Sequence, residues 1–336
     1  MATTQADPHG RRATSPIRLP WPAWKEIGAR VWAKTGTDNI SLLAAGVAFY
    51  AFLAMVPLFG AVVMTYGLVA DPANVAKHMQ TIIELVPADA AKLIYQQLID
   101  VTTAAAGKKG LGLLIALVLS LYGATRAAGG IIMALNVIYE QPERRSFIWT
   151  TLLTFAITIG AVLVGIVGLV GASVLALIEP LTHFLGDGGA IVMTLLTWIV
   201  AGALASTAIG ATYRFAPDRQ DARWRWLSFG SLLATALWLV ATVGFGFYAS
   251  RFGDYNATYG SLGAVVVLLL WLYVSAYAIL LGAEVNAETE RQTAVDSTTG
   301  RPRPMGQRGA TMADTVPPAD GEPAPPRPDA PSFGTA

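Results

Sequence analysis

Six long apolar runs, at residues 40–69, 111–138, 147–178, 190–213, 226–249 and 261–283, decide what this chain can fold into. Each exceeds the ~20 residues a helix needs to cross a bilayer. A single segment in hydrocarbon satisfies its own N–H and C=O groups only as a helix. The reading is therefore all-α: a polytopic membrane protein with six transmembrane helices. Composition agrees, since 13% of the 336 residues are charged, against roughly 25% in soluble domains. A net charge of +1 offers nucleic acid no electrostatic attraction.

The connections set the orientation. Residues 139–146 carry Arg144 and Arg145, and 214–225 carry Arg214, Arg219, Arg223 and Arg225. Residues 179–189 hold no Lys or Arg, and 250–260 hold only Arg251. The positive-inside rule then places both termini in the cytosol. Acids on the basic turns (Glu140, Glu143, Asp218, Asp221) read as a solvated surface.

Residues 1–20 are polar and basic, without the apolar core of a secretory signal, and read as a disordered tail. Residues 21–37 follow as an amphipathic helix with Trp24, Ile27, Val31 and Trp32 toward one side, suited to lie along the membrane surface. The transmembrane domain occupies 38–289. Its outer connection, 71–110, carries two apolar stripes separated by Pro87, and predicts a pair of amphipathic helices. From 290 to 336 the chain is rich in Pro, Gly and Thr and predicts a disordered cytosolic tail.

Arg126 is the sharpest single feature. It sits roughly 20 Å from either end of its apolar run, where a lone guanidinium costs ~2.5–3.5 kcal/mol. The expectation is a cation facing the bundle interior. It serves there as an anion or headgroup contact or a gating partner, or structurally, bonded to backbone carbonyls or the Tyr50 hydroxyl. Small residues at Gly130 and Ala134 leave room beside it, although rows such as Gly202, Ser206 and Gly210 read first as packing seams. Pro57 predicts a kink in the first span. Asn136, Asp38, Asn39, Glu284 and Asn286 fall at similar depth near the cytosolic side, as one polar cluster closing the inner mouth. Asp38 also has the type and place of an N-cap for the first span.

Other chemistry finds little footing. With no cysteine and only His9, His78 and His183, none at HxxxH spacing, the residues suggest no metal and no cofactor. There is no phosphate-binding P-loop and no GxSxG serine, so an enzyme is not expected. The partners suggested are membrane lipids and an anionic small molecule or lipid headgroup, with no nucleic acid.

Three stretches together resemble the YihY/virulence factor BrkB family: LLAAGVAFYAFLAMVPL (42–58), YGATRAAGGIIMALNVIYEQPERR (122–145) and YGSLGAVVVLLLWLYVSAYAILLGAEVNAE (259–288). The resemblance implies a multi-pass protein of the bacterial cytoplasmic membrane. Members are described as transporters and linked to envelope or virulence traits, and some carry an old ribonuclease BN label. Members often have serine three residues before the first-span proline, where this chain has Ala54. The leading functional expectation is a transporter or lipid- and envelope-handling protein with a central polar cavity around Arg126. The alternative is a non-transporting scaffold or envelope-biogenesis partner.

Overall fold

A computed structural model describes residues 7–67, 110–178, 187–251 and 261–317. Among them there is no β-strand, only an isolated antiparallel bridge between Ala222 and Thr298. A 3-10 turn at Pro16–Arg18 precedes α1 (Trp21–Thr37), α2 (Ile40–Gly67), α3 (Gly110–Ile138), α4 (Phe147–Ile178), α5 (Asp187–Phe215), α6 (Trp224–Arg251), α7 (Ser261–Arg291) and the single turn α8 (Thr311–Asp314). Helices α3 to α7 are each long and apolar enough to cross a membrane, and α1 with α2 provides a sixth if that bent pair counts as one span. The outer helix pair expected over 71–110 lies outside the described residues, as does the Pro57 side chain; α2 itself runs through Pro57.

The helices close a ring. Each of α2 to α7 packs on the next, and α7 returns to α2; α3 also reaches α7, and α1 lies across α7. Small residues set the close seams. Gly123 leaves space for the Leu53 carbonyl, 3.2 Å from where a Cβ would stand, and Gly130 seats Val47 and Tyr50. The row Gly202, Ser206, Gly210 seats α5 on α6: Ser206 and Ser231 hydroxyls are 3.2 Å apart, and Gly210 lies against Ser231. This is backbone approach of the kind that drives helix association in lipid.

Between α1 and α2 the chain turns by 62°. Asn39 makes the turn with φ +52°, a left-handed conformation that asparagine tolerates better than most residues. Asp38 does not cap α2 as expected. Its carboxylate instead accepts from the Thr37 hydroxyl and pairs with Lys34, both on α1. Of the expected stripe on α1, Ile27 and Val31 are buried, joined by Ala23, and the Trp24 ring lies tilted 4.5 Å from that of Phe229 on α6; Trp32, expected on the same side, faces outward.

Neither end of the described chain is the loose tail its composition suggests. Residues 7–20 pack down with Ala13 and Leu19 buried, and 292–317 fold against the same end of the bundle with Met312 and Ala313 buried. The order comes from polar groups. Arg308 donates to the carbonyls of Ala313, Ala294 and Arg303, and Asp314 gathers the N–H groups of Gly306, Arg308 and Gly309. Asp296 accepts from the N–H groups of Thr298 and Arg303. The two ends are tied to each other: Ala294 N–H donates to Arg11 O, Gln292 to His9 O, and the Thr293 hydroxyl to Ala13 O. A disordered tail from residue 290 is thus corrected for 292–317. Apolar content missed it because side chain–backbone bonds, rather than apolar burial, do the ordering.

Candidate functional site

Two groups of polar residues stand out, one on the wall of the ring and one at the end where the termini meet. On the wall, Arg126 is exposed, and among the described residues its only recorded contact is the Tyr122 ring, 4.9 Å from the guanidinium carbon. It shares a face of α3 with Tyr122 (57% exposed), Met133 (64%) and Val137 (39%), which recur at helical spacing. Arg126 is thus open rather than enclosed by packed side chains. Depth was fixed by the apolar run, but the angle is fixed by the neighbouring glycines. Gly123 and Gly130 turn the adjacent face to α2, Gly129 approaches Thr154 of α4 at 3.8 Å, and Arg126 is left in the wedge between them. Tyr50, 38% exposed on α2, reaches Gly130 one turn away.

At the capped end the five polar residues expected to form one cluster do three different jobs. Asn136 is buried and structural: it donates to Glu143 at 2.9 Å and accepts the Asp218 N–H at 2.8 Å, joining the turn after α3 to the turn after α5. Arg145 hydrogen bonds hold the Glu143 carboxyl below its usual range. Asn286 bridges α7 to α6, accepting from Gly230 N–H (2.7 Å) and donating to Leu227 O (3.0 Å). Asn39 is exposed, its side-chain amide donating to Thr37 O and its backbone N–H to Gly36 O. Glu284 and Asp38 do come together electrostatically, with Lys34, Glu140 and Glu288. Burial, outweighing the pull of Lys34, pushes the Asp38 carboxyl up.

Charged partners beyond those anticipated complete this end. Arg219, expected on a solvated turn, is buried in a two-pronged pair with Glu290 (2.6 and 2.7 Å), each side chain 1% exposed, and lies 4.9 Å above the Tyr139 ring. Burial works against its charge, but Glu290 outweighs it and raises the Arg219 pKa. The Tyr139 hydroxyl is fully buried and its pKa is pushed up by desolvation, so it stays neutral. Arg30 binds Glu288 (2.5 Å) and Gln292 (2.6 Å), and Gln292 reaches Glu26, itself paired with His9. Lys34 pairs with Glu140. Sequence spacing carried no signal for these pairs, because Arg30 and Glu288 are 258 positions apart.

The arrangement gives the third family-like stretch a physical meaning. In Gly282-Ala283-Glu284-Val285-Asn286, the glycine lets α6 and α7 touch, the asparagine hydrogen-bonds across that contact, and the glutamate projects into the buried charged cluster.

Comparison with known proteins agrees with this architecture. A ribonuclease-like protein of Bacillus subtilis, YfkH, is 32% identical over 51% of this chain, the match covering 63% of its own length and so less than two thirds. A UPF0761 membrane protein of Tolumonas auensis is 28% identical over 78% of this chain and 85% of its own. Another, from Rhodospirillum centenum, is 28% identical over 74% of this chain and 54% of its own. No solved structure matches. The family model described as "Virulence factor BrkB" matches residues 31–306, reaching past α7 into the folded segment that ties the termini together. With that match over most of its length, and five or six helices fit to cross a bilayer, this chain is a multi-pass bacterial membrane protein of the virulence factor BrkB family.

Proposed function

We propose that the chain is a transporter or lipid-handling protein that engages an anionic small molecule or lipid headgroup through Arg126. One observation carries the reading: a guanidinium about 18 Å along α3 from its capped end, exposed and, among the described residues, held by the Tyr122 ring alone. An uncompensated charge at that depth is costly and marks a pathway or ligand contact. Tyr122 and Tyr50 offer hydroxyls at either side of it. Because Arg126 is exposed, Arg126→Ala should insert, accumulate and melt like the parent, yet lose the envelope or transport phenotype of the intact protein. Arg126→Lys should restore part of it if charge matters alone, and little if forked hydrogen bonding to an anion matters. A fully active Arg126→Ala protein would remove the reading.

Six spans with both termini in the cytosol complete the proposal. Support comes from the two chain ends meeting at one end of the bundle, beside the turns that carry Arg144, Arg145, Arg214, Arg219, Arg223 and Arg225. The chain has no cysteine, so single ones report cleanly. Ser146→Cys should react with an impermeant maleimide only after lysis, and Thr182→Cys in intact spheroplasts. The reverse pattern would invert the topology.

A further inference from the structure

Glu284 is fully buried near the capped end of α7, and neither of its carboxylate oxygens has a hydrogen-bond partner among the described residues. The groups that face it come from every element packed there: Lys34 of α1, Asp38 at the bend into α2, Tyr139 and Glu140 after α3, and Glu288 one turn along α7. The cations are already committed. Lys34 pairs with Glu140 and lies 3.3 Å from Asp38. Arg30 holds one oxygen of Glu288, and Arg291 lies 3.6 Å from the other and 3.9 Å from Glu140. Arg219 and Glu290, further across, neutralise each other. Asp38, Glu140, Glu284 and Glu288 thus face Lys34, Arg30 and Arg291, and the acid left without a counter-charge is Glu284.

A buried carboxyl in that position either takes up a proton or binds a cation. A cation needs several oxygen ligands. Among the described residues no three acidic or histidine side chains are grouped to hold a metal ion, and the neighbouring carboxylates are spent on Lys34, Arg30 and Arg291. One proton on one oxygen balances the cluster without further ligands. We propose that Glu284 is a proton-binding site: it holds a single proton as a neutral carboxylic acid while the capped end is closed, and yields it to water when the α1–α2 bend draws away from α7. This deepens the transport reading above by naming the proton as the coupled ion.

The test uses full-length protein in detergent and two readouts. Infrared spectra near pH 7 should show a protonated-carboxyl C=O band that shifts in D2O and is missing in Glu284→Gln. Thermal midpoints should fall between about pH 6 and about pH 9 for the parent, because the folded state holds a proton that the unfolded chain has lost in that range. Glu284→Gln, which mimics the neutral acid, should fold as well as the parent and lose that slope. An infrared band that survives in Glu284→Gln, an unchanged slope in that variant, or a slope abolished by sodium or potassium would overturn the proposal. Neither readout involves Arg126 or a substrate, so an active Arg126→Ala protein would defeat the transport reading while leaving this site standing.

Discussion

Arg219→Ala is expected to destabilise the capped end by about 3–5 kcal/mol, the cost of stranding one partner of a buried ion pair. The partner is Glu290, 1% exposed, which would keep only the Ser297 hydroxyl at 2.5 Å among its present contacts. The same substitution strips the cation from the Tyr139 ring and a donor from the Gln220 carbonyl. Unfolding midpoints in mild detergent, with trypsin cleavage of the segment after the buried Arg308, would record the loss. Removing both charges with Arg219→Met and Glu290→Leu should recover much of it, because no charge is then stranded. Arg225, exposed in the first turn of α6, is the control: its alanine variant should stay within about 0.5 kcal/mol of the parent. Equal behaviour of Arg219→Ala and Arg225→Ala would show that the buried pair carries no weight.

Gly282 should tolerate no side chain. A Cβ there would stand 2.6 Å from the Gly230 carbonyl oxygen and from Ala234 Cβ, and 2.8 Å from the Tyr213 hydroxyl. None of these moves cheaply: one is backbone, one is a Cβ fixed to it, and the third donates to Ile279 O at 2.5 Å. Overpacking at such a crossing costs roughly 3 kcal/mol for alanine, and leucine should prevent α6 and α7 from assembling. Gly230 faces the same contact from the other helix, against Gly282 O and Asn286. Asn286→Ala acts differently, removing both hydrogen bonds across the crossing for about 1–3 kcal/mol. Accumulation in membranes and a single peak on size exclusion are the measurements. A Gly282→Leu protein that behaves as the parent would show the crossing to be looser than drawn.

The sequence made the helices visible because hydrocarbon length sets them. Helix α4 coincides with its run at 147–178, and α2, α3, α5 and α6 end within a few residues of theirs. Helix α7 continues to Arg291, past the expected end at Ala283, because its last turns are buried by the chain ends rather than by lipid. Arg126 marks the limit of this kind of reading: its depth follows from counting residues, but its direction depends on which glycines a neighbouring helix selects. Asn136 and Asn286, expected in one polar cluster at the inner mouth, instead tie separate turns and helices together. The partners of Arg30 and Arg219 were invisible because they lie across the whole chain. Residues 292–317 read as disordered because a stretch rich in Pro, Gly and Thr offers little to bury, yet it folds around Arg308, Asp296 and Asp314.

The strap between the two ends also imposes an order of events in the cell. The Thr293 hydroxyl meets the Ala13 carbonyl across 280 positions, so this tie between the ends cannot form until residue 293 has left the ribosome. At ~5–20 residues per second that is a delay of roughly 15–60 s, during which the charged side chains of α1 stay wet. A chain cut short before Gln292 would lack these bonds between its two ends, leaving His9 O and Ala13 O without the partners they have here.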